Sequence, residues 1–265
     1  MSVAAVAKEH LLSARQMADF AAGGFLVLDQ VVPEEYNRRA LEEMRAFAGS
    51  GYRYWFESSV IRDIFELPQV KGAVQSFVGA NPVYDHSFLH VVKAKHLKGQ
   101  TYHADSVIDT RPFGFDVQAF YFCHDAPREM GPTLVLPGSH LRKVSNGSIG
   151  RYKNIAGQRQ LVSKAGSIAF LHHGIWHCAQ PNFTDTTRYV FKLRLRPGEE
   201  QRGLFNTDGC GSAEVLDYLR KAGHHAWCGD EARVNQINIA KFWRYLCGDD
   251  SVDASFEGAL TRMGL

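Results

Sequence analysis

The stretch from Arg188 to Arg196 constrains the fold most, because it alternates between basic or polar and apolar side chains. In an extended strand successive side chains project to opposite faces, so residues two apart share a face. One face carries Arg188, Val190, Lys192 and Arg194, and the other carries Tyr189, Phe191, Leu193 and Leu195. This division predicts a barrel in which the inner face of the strand carries polar side chains. The apolar outer face would pack against helices.

Several other segments fit such a barrel. Strand patterns occur at 25–28, 88–95, 117–123, 134–136 and 168–171. Apolar residues at helical spacing occur at 10–22, at 33–47 with Pro33 as the first helical residue, and at 69–79. The change from a period near 3.6 to a period of two predicts a mixed, β-dominated core with flanking α-helices.

The composition changes after Pro197-Gly198-Glu199-Glu200, where helical spacing returns at 215–219 and 237–246, with a last short helix predicted over 254–263. We therefore predict a domain over residues 1–200, including the N-terminal helices, and a helical C-terminal extension over residues 201–265. The extension is expected to pack on the core, either as a lid or as a dimer contact. The chain would then be a monomer or a homodimer through this extension.

Charge and cysteine content indicate which partners and which cellular compartment to expect. The 30 basic and 28 acidic side chains leave a formal net charge of +2, so no strong field favours nucleic acid or a membrane surface as a partner. The chain has no apolar run of membrane-spanning length and no positively charged leader. An odd number of cysteines, 5, without a CxxC pair, predicts a reducing compartment. We expect a cytoplasmic protein that acts on a small molecule.

The chemically informative segment is His103-Ala104-Asp105, completed by His177. Because residues i and i+2 of a strand project to the same side, His103 and Asp105 could share a metal ion, and a histidine on a neighbouring strand could complete one face of its coordination sphere. Two histidines and one carboxylate with open positions are typical of non-haem Fe(II) sites. An H-x-D segment alone is common by chance, so the predicted metal site depends on the segments that surround it in the sequence.

That context resembles the phytanoyl-CoA dioxygenase-like family of Fe(II)/2-oxoglutarate oxygenases, from the N-terminal helix to about Arg196. The resemblance rests on segments in matching order and spacing: His103-Ala104-Asp105; Gly131-Pro132-Thr133-Leu134 through Pro137-Gly138-Ser139-His140; Ala165-Gly166-Ser167; and His177 with Pro181-Asn182 and Arg188. It implies a double-stranded β-helix, also called a jelly-roll or cupin-like barrel. It does not extend to the tail beyond about residue 200.

The resemblance also implies a ligand set. His103, Asp105 and His177 would bind Fe(II), with 2-oxoglutarate as co-substrate and O₂ as oxidant. Arg188 would bind the C5 carboxylate of 2-oxoglutarate, which agrees with the bidentate match between guanidinium and carboxylate. The alternative for Arg188 is a surface position, since Lys192 and Arg194 share its face.

Other site residues are suggested by position. Gln118 and Thr133 could donate hydrogen bonds to the co-substrate, and Lys93 is a further candidate, although Lys95 competes with it. Arg111, Phe113 and Phe115 directly follow the H-x-D segment and are predicted to contact substrate. Trp176, beside His177, is interpreted as core packing, with substrate contact as the alternative.

The histidines at 172 and 173 are rivals to His177 as ligands, but only His177 has the downstream Pro-Asn and Arg spacing. By the resemblance, the reaction is hydroxylation of an unactivated C–H bond of a metabolite, forming succinate and CO₂. Asp105 disfavours halogenation, because halogenases of this type carry a small residue there. The alternatives are a desaturase or cyclase of the same chemistry, a cupin-like enzyme that does not use 2-oxoglutarate, and a binding protein that retains the fold.

Overall fold

A computed structural model describes residues 6–106, 109, 111, 113–222, 227–252 and 254. The α-helices are α1 (Ala14–Gly23), α2 (Glu34–Ala46), α3 (Tyr54–Glu57), α4 (Ser59–Glu66), α5 (Pro68–Val78), α6 (Asn146–Ile149), α7 (Ala213–Lys221) and α8 (Gly229–Cys247). The strands are β1 (Phe25–Leu28), β2 (Val83–Val92), β3 (Val117–Phe122), β4 (Leu134–Val135), β5 (Arg159–Gln160), β6 (Ser167–His172), β7 (His177–Cys178) and β8 (Arg188–Arg196). None of the described helices combines the length and apolar character needed to cross a bilayer.

The strands form two antiparallel sheets. The larger has the order β1-β6-β3-β8-β2, and the smaller has the order β5-β4-β7. A short antiparallel bridge between His103 and His177 adds the H-x-D segment beside β7. The predicted β-dominated core with flanking helices is confirmed.

The two faces of β8 separate as the alternation predicts. Phe191, Leu193 and Leu195 are buried in the apolar layer that the sheet shares with the helices. Val190 is buried on the opposite face, in a second cluster with Phe120 of β3. The side chains of Arg188, Lys192 and Arg194 share the face of Val190, so this strand brings basic groups to the inside of the barrel.

Helix α1 is fixed at both ends by local chemistry. The side chain of Ser13 accepts a hydrogen bond from the backbone N–H of Gln16, and the Gln16 side chain accepts one from the backbone of Ser13, which together form a capping box. The helix ends at Gly24, which has a left-handed conformation with φ of 80°. A side chain there would meet the His140 ring, so α1 is held closely against the segment around His140.

The C-terminal helices lie against the same apolar layer. Phe242 and Trp243 of α8 are buried in it, and the indole Nε1 of Trp243 donates to the Cys210 carbonyl at 3.2 Å. Helix α8 ends at Gly248, which is also left-handed. The helix predicted over 254–263 lies outside the described residues, apart from Ala254.

Several elements differ from the predictions. Pro33 is the N-cap of α2, one residue before its first helical position. Strand β2 covers 83–92 instead of 88–95, because Lys95 has a left-handed φ of 54° and turns the chain. Helices α3 and α4 were not predicted, although the buried residues of α4 at 60, 61, 64 and 65 have helical spacing.

We expect Phe170→Ala to test the contact between the sheet and the helices. Phe170 of β6 is fully buried, and its ring centroid lies 5.2 Å from that of Phe77 in α5. Removing a buried phenyl ring leaves a cavity, so the free energy of unfolding should fall by about 3–5 kcal/mol in urea titrations. The matched variant Phe183→Ala removes a ring that is 59% exposed, and its effect should stay within about 0.5 kcal/mol. Equal effects of the two variants would contradict this packing.

Candidate active site

Three side chains converge at one end of the barrel. Ligand atoms of His103, Asp105 and His177 all lie within 4.8 Å of one another. The Nε2 atom of His103 is 3.7 Å from Asp105 Oδ1, and the Nε2 atom of His177 is 3.6 Å from Asp105 Oδ2. The two imidazole ring centroids are 4.4 Å apart. The three residues come from two segments that are distant in the sequence, and the fold brings their side chains together.

The backbone holds the two histidines in register. His103 N–H donates to the His177 carbonyl at 3.0 Å, and His177 N–H donates to the His103 carbonyl at 2.8 Å. Each ring also has its Nδ1 beside a carbonyl two residues earlier, Thr101 O at 2.9 Å and Ile175 O at 3.1 Å. Because a carbonyl only accepts, each Nδ1 carries the proton, which leaves the Nε2 lone pair for a metal.

The protonation states suit metal ligands. Burial lowers the pKa of His177 to about 4, so its imidazole is neutral at pH 7. Burial of Asp105 would raise its pKa, but His177, His173, His103 and Lys192 outweigh that effect and hold the pKa below its usual value. Two histidines and one carboxylate are the donor set that non-haem Fe(II) sites use.

Arg188 lies at the start of β8 and is only 1% exposed. Its Nη1 donates to the Gly131 carbonyl, and its Nε is buried without a hydrogen-bond partner among the described residues. No carboxylate of the described residues lies within ion-pair distance of it, and burial lowers the pKa of its guanidinium to about 10. A buried, still charged guanidinium without a counter-ion is costly, and a carboxylate from a bound molecule would supply what is missing.

A cavity of about 310 Å³ is lined by residues that neighbour Asp105. Its wall includes Ser106 and His173, and the Nε2 of His173 is 3.9 Å from Asp105 Oδ2. The backbone N–H of Ser106 donates to the His173 carbonyl at 3.0 Å. The cavity therefore begins directly beside Asp105.

Comparisons with known proteins identify the family. The sequence profile of phytanoyl-CoA dioxygenase (PhyH) matches residues 5–190. The chain belongs to the phytanoyl-CoA dioxygenase family. Among functionally curated proteins, no sequence relative was found.

Solved structures show the same fold at low sequence identity. HygX from Streptomyces hygroscopicus with nickel and 2-oxoglutarate has a TM-score of 0.61 at 13% identity and covers 77% of this chain and 93% of its own. The epimerase SnoN, in complex with Fe³⁺, alpha ketoglutarate and nogalamycin RO, has a TM-score of 0.58 at 18% identity over 69% and 82% of the two chains. EctD from S. alaskensis, with 2-oxoglutarate and 5-hydroxyectoine, has a TM-score of 0.60 at 16% identity over 70% and 76%. These likenesses confirm the predicted jelly-roll fold.

Family membership and the converging side chains together make the chain an enzyme of the Fe(II)/2-oxoglutarate-dependent oxygenase type. The predictions of Fe(II), 2-oxoglutarate and O₂ as cofactors agree with both. In this family member, the donor set would hold the metal, and Arg188 offers the only fully buried guanidinium among the described residues.

The other predicted co-substrate residues differ in placement. Thr133 is buried two residues after Gly131, the acceptor of the Arg188 hydrogen bond. Gln118 is buried on β3, and its Oε1 has no hydrogen-bond partner among the described residues. Lys93 is exposed just beyond the end of β2, where its carbonyl accepts from Asn182 Nδ2 at 3.2 Å. Val92, the residue before it, is the register partner of Arg188, and the co-substrate role of Lys93 stays a prediction.

The predicted substrate residues after the H-x-D segment line the cavity. Arg111 pairs with Asp109 at 2.6 Å and Asp116 at 2.9 Å. Phe115 stacks on His172 with ring centroids 5.0 Å apart, and Phe113 is 41% exposed at the cavity wall. Trp176 lies elsewhere, in a small apolar cluster with its ring perpendicular to Trp227, which agrees with the core-packing interpretation.

Two site features were not assigned from the sequence. The first is His173, which the sequence offers only as a rival ligand and which lies next to Asp105. The second is helix α8, which contributes Asn238 and Phe242 to the cavity wall. The position of His173, four residues before His177, was visible but did not show which way its ring points. Nothing in the sequence of α8 predicted contact with the cavity, because the family resemblance ends before it.

We expect His177→Ala to abolish metal binding. Loss of a hydrogen-bond partner of a metal ligand already costs about 10–100-fold in affinity, so loss of a ligand should cost more than about 100-fold. Isothermal titration with Ni²⁺ under anaerobic conditions measures this. His96→Ala, which removes an exposed histidine, should bind as tightly as the parent protein. Retention of tight binding by His177→Ala would exclude the proposed ligand set.

Proposed function

We propose that this enzyme hydroxylates an unactivated C–H bond of a small-molecule metabolite while converting 2-oxoglutarate to succinate and CO₂. The observation that carries the proposal is the convergence of His103, Asp105 and His177 in the same barrel as a buried Arg188, which has no carboxylate partner among the described residues. The intact Asp105 supports oxygen insertion, since it occupies the position that a halide would need.

Each of these residues has a defined task in the proposal. His103, Asp105 and His177 hold Fe(II) by one face and leave the remaining coordination positions to small molecules. Arg188 binds the C5 carboxylate of 2-oxoglutarate through its free Nε and guanidinium edge. Thr133 and Gln118 donate hydrogen bonds to the co-substrate. The metal and co-substrate supply the oxidising power, and the barrel excludes bulk water from them.

The cavity beside Asp105 is the proposed site of the primary substrate. Phe113, Phe115 and Phe242 supply apolar walls, and Arg111 supplies a guanidinium held in place by Asp109 and Asp116. Because Phe242 belongs to α8, the C-terminal extension forms part of this wall. This position supports the lid role of residues 201–265 over the dimer-contact role, with residues 1–200 as the catalytic domain.

An oxidation without oxygen insertion is the second candidate. Proteins of the same fold include a carbocyclase, SnoK, and the epimerase SnoN, so the fold admits outcomes other than hydroxylation. A panel of small molecules screened for stimulated succinate formation would identify the substrate. A product heavier by one oxygen atom supports hydroxylation, and a product lighter by two hydrogen atoms supports desaturation or cyclisation.

We expect Arg188→Met to separate co-substrate binding from metal binding. Charge-assisted hydrogen bonds contribute about 1.5–3 kcal/mol each, so 2-oxoglutarate affinity should fall at least about tenfold. Anaerobic titration of the Fe(II) protein with 2-oxoglutarate, followed by the visible charge-transfer band, measures the change. Arg196→Met, on the same strand but exposed, serves as the control. Unchanged 2-oxoglutarate binding by Arg188→Met would favour a cupin-like enzyme of other chemistry, and absence of the band in the parent protein would favour a binding protein.

A further inference from the structure

A second cation faces the interior of the barrel from β8. Lys192 shares a face with Arg188, and its register partners are Phe120 of β3 and Phe88 of β2. Its Nζ lies 4.6 Å from the centroid of the Phe120 ring. That ring centroid is in turn 6.3 Å from the His177 ring. The Phe120 ring therefore lies near both the ammonium of Lys192 and the imidazole of His177.

Burial and nearby charges act on the ammonium of Lys192 in opposite directions. Burial lowers the pKa of its ammonium to about 8, Asp105 acts in the opposite direction, and Arg188 adds to the lowering. At pH 7 most of the side chain still carries its proton. Lys192 is thus a cation on the same strand face as Arg188.

The three cations on this face of β8 differ in their partners. Arg194 is paired with Asp116, its Nε donating to Asp116 Oδ2 at 2.9 Å. Within the part of the chain that the structure describes, Lys192 has the contact with Phe120 but no hydrogen bond and no ion pair. The side chain of Lys192 is half-buried, and its ammonium could accept a carboxylate as a partner. The site therefore has capacity for a second anionic group besides the one at Arg188.

We propose that Lys192 is a second anion-binding residue of this site, which binds an oxyanion held beside the metal: the metal-chelating carboxylate of 2-oxoglutarate. This inference rests on the proposed function. Arg188 and Lys192 are four residues apart on one strand face, about 13 Å between Cα atoms, and their long side chains enter the barrel on either side of Val190. They can therefore bracket a short dicarboxylate.

The two residue types suit the two ends of such a molecule. A guanidinium fork matches a carboxylate that has both oxygens free, which is the case at C5. An ammonium is a compact point charge that needs only one oxygen, which suits a carboxylate whose other oxygen is bound to the metal. An oxyanion on the primary substrate would offer Lys192 the same chemistry. Titrations with keto acids and with sulfate distinguish a co-substrate carboxylate from a substrate oxyanion.

The test compares two keto acids in anaerobic titrations of the Fe(II) protein: 2-oxoglutarate and 2-oxopentanoate, which lacks the C5 carboxylate. Lys192→Met should weaken both by the same factor, at least about tenfold. Arg188→Met should weaken 2-oxoglutarate alone. Lys192→Arg should recover most of the affinity, and Lys221→Met, which removes an exposed lysine, should change neither. If Lys192 served only in packing, Lys192→Met would not weaken both keto acids by the same factor, and Lys192→Arg would not restore their binding.

A second arm uses sulfate as a probe, added to the preformed complex of Fe(II) protein and 2-oxoglutarate. If Lys192→Met leaves both keto-acid affinities unchanged but removes a sulfate-induced shift of the charge-transfer band, the oxyanion belongs to the primary substrate. If neither measurement changes in a Lys192→Met protein that binds Ni²⁺ and unfolds at the parent temperature, the inference is overturned. Failure of the parent protein to bind 2-oxoglutarate would instead overturn the proposed function.

Discussion

The pair of backbone hydrogen bonds between His103 and His177 is the contact on which the site depends. It joins the H-x-D segment to β7, and β7 is paired in turn with β4. Without this bridge, two imidazoles from segments more than seventy residues apart would have no fixed separation. The same bridge directs both Nδ1 atoms to local carbonyls, so backbone geometry sets the tautomer of each ligand as well as its position.

Strand β8 links this site to the stability of the fold. Its outward side chains, including Phe191 and Leu193, are buried beneath the helices, while Arg188 and Lys192 enter the barrel. The cost of placing cations inside is offset by the apolar burial on the other face of the same nine residues. A one-residue change of register would reverse both faces, so the packing against the helices also fixes the direction of the Arg188 and Lys192 side chains.

The sequence alone predicted the parts of the site that depend on local spacing. The H-x-D pair follows from the strand period, and the alternation of β8 placed Arg188 and Lys192 on one face. The end of β2 was predicted too far along the chain: the strand stops at Val92, and Lys93 lies just before the left-handed turn at Lys95. The approach of His173 to Asp105 and of Phe242 to the cavity depends on contacts between distant segments, which no local pattern encodes.

A crystal structure of the protein with Mn(II) and 2-oxoglutarate, grown without oxygen, would show the site directly. We predict metal bonds to Nε2 of His103, Nε2 of His177 and one carboxylate oxygen of Asp105, with the co-substrate's C5 carboxylate on the Arg188 guanidinium. A metal bound through His172 or His173 in place of His177, or a co-substrate carboxylate remote from Arg188, would contradict this prediction.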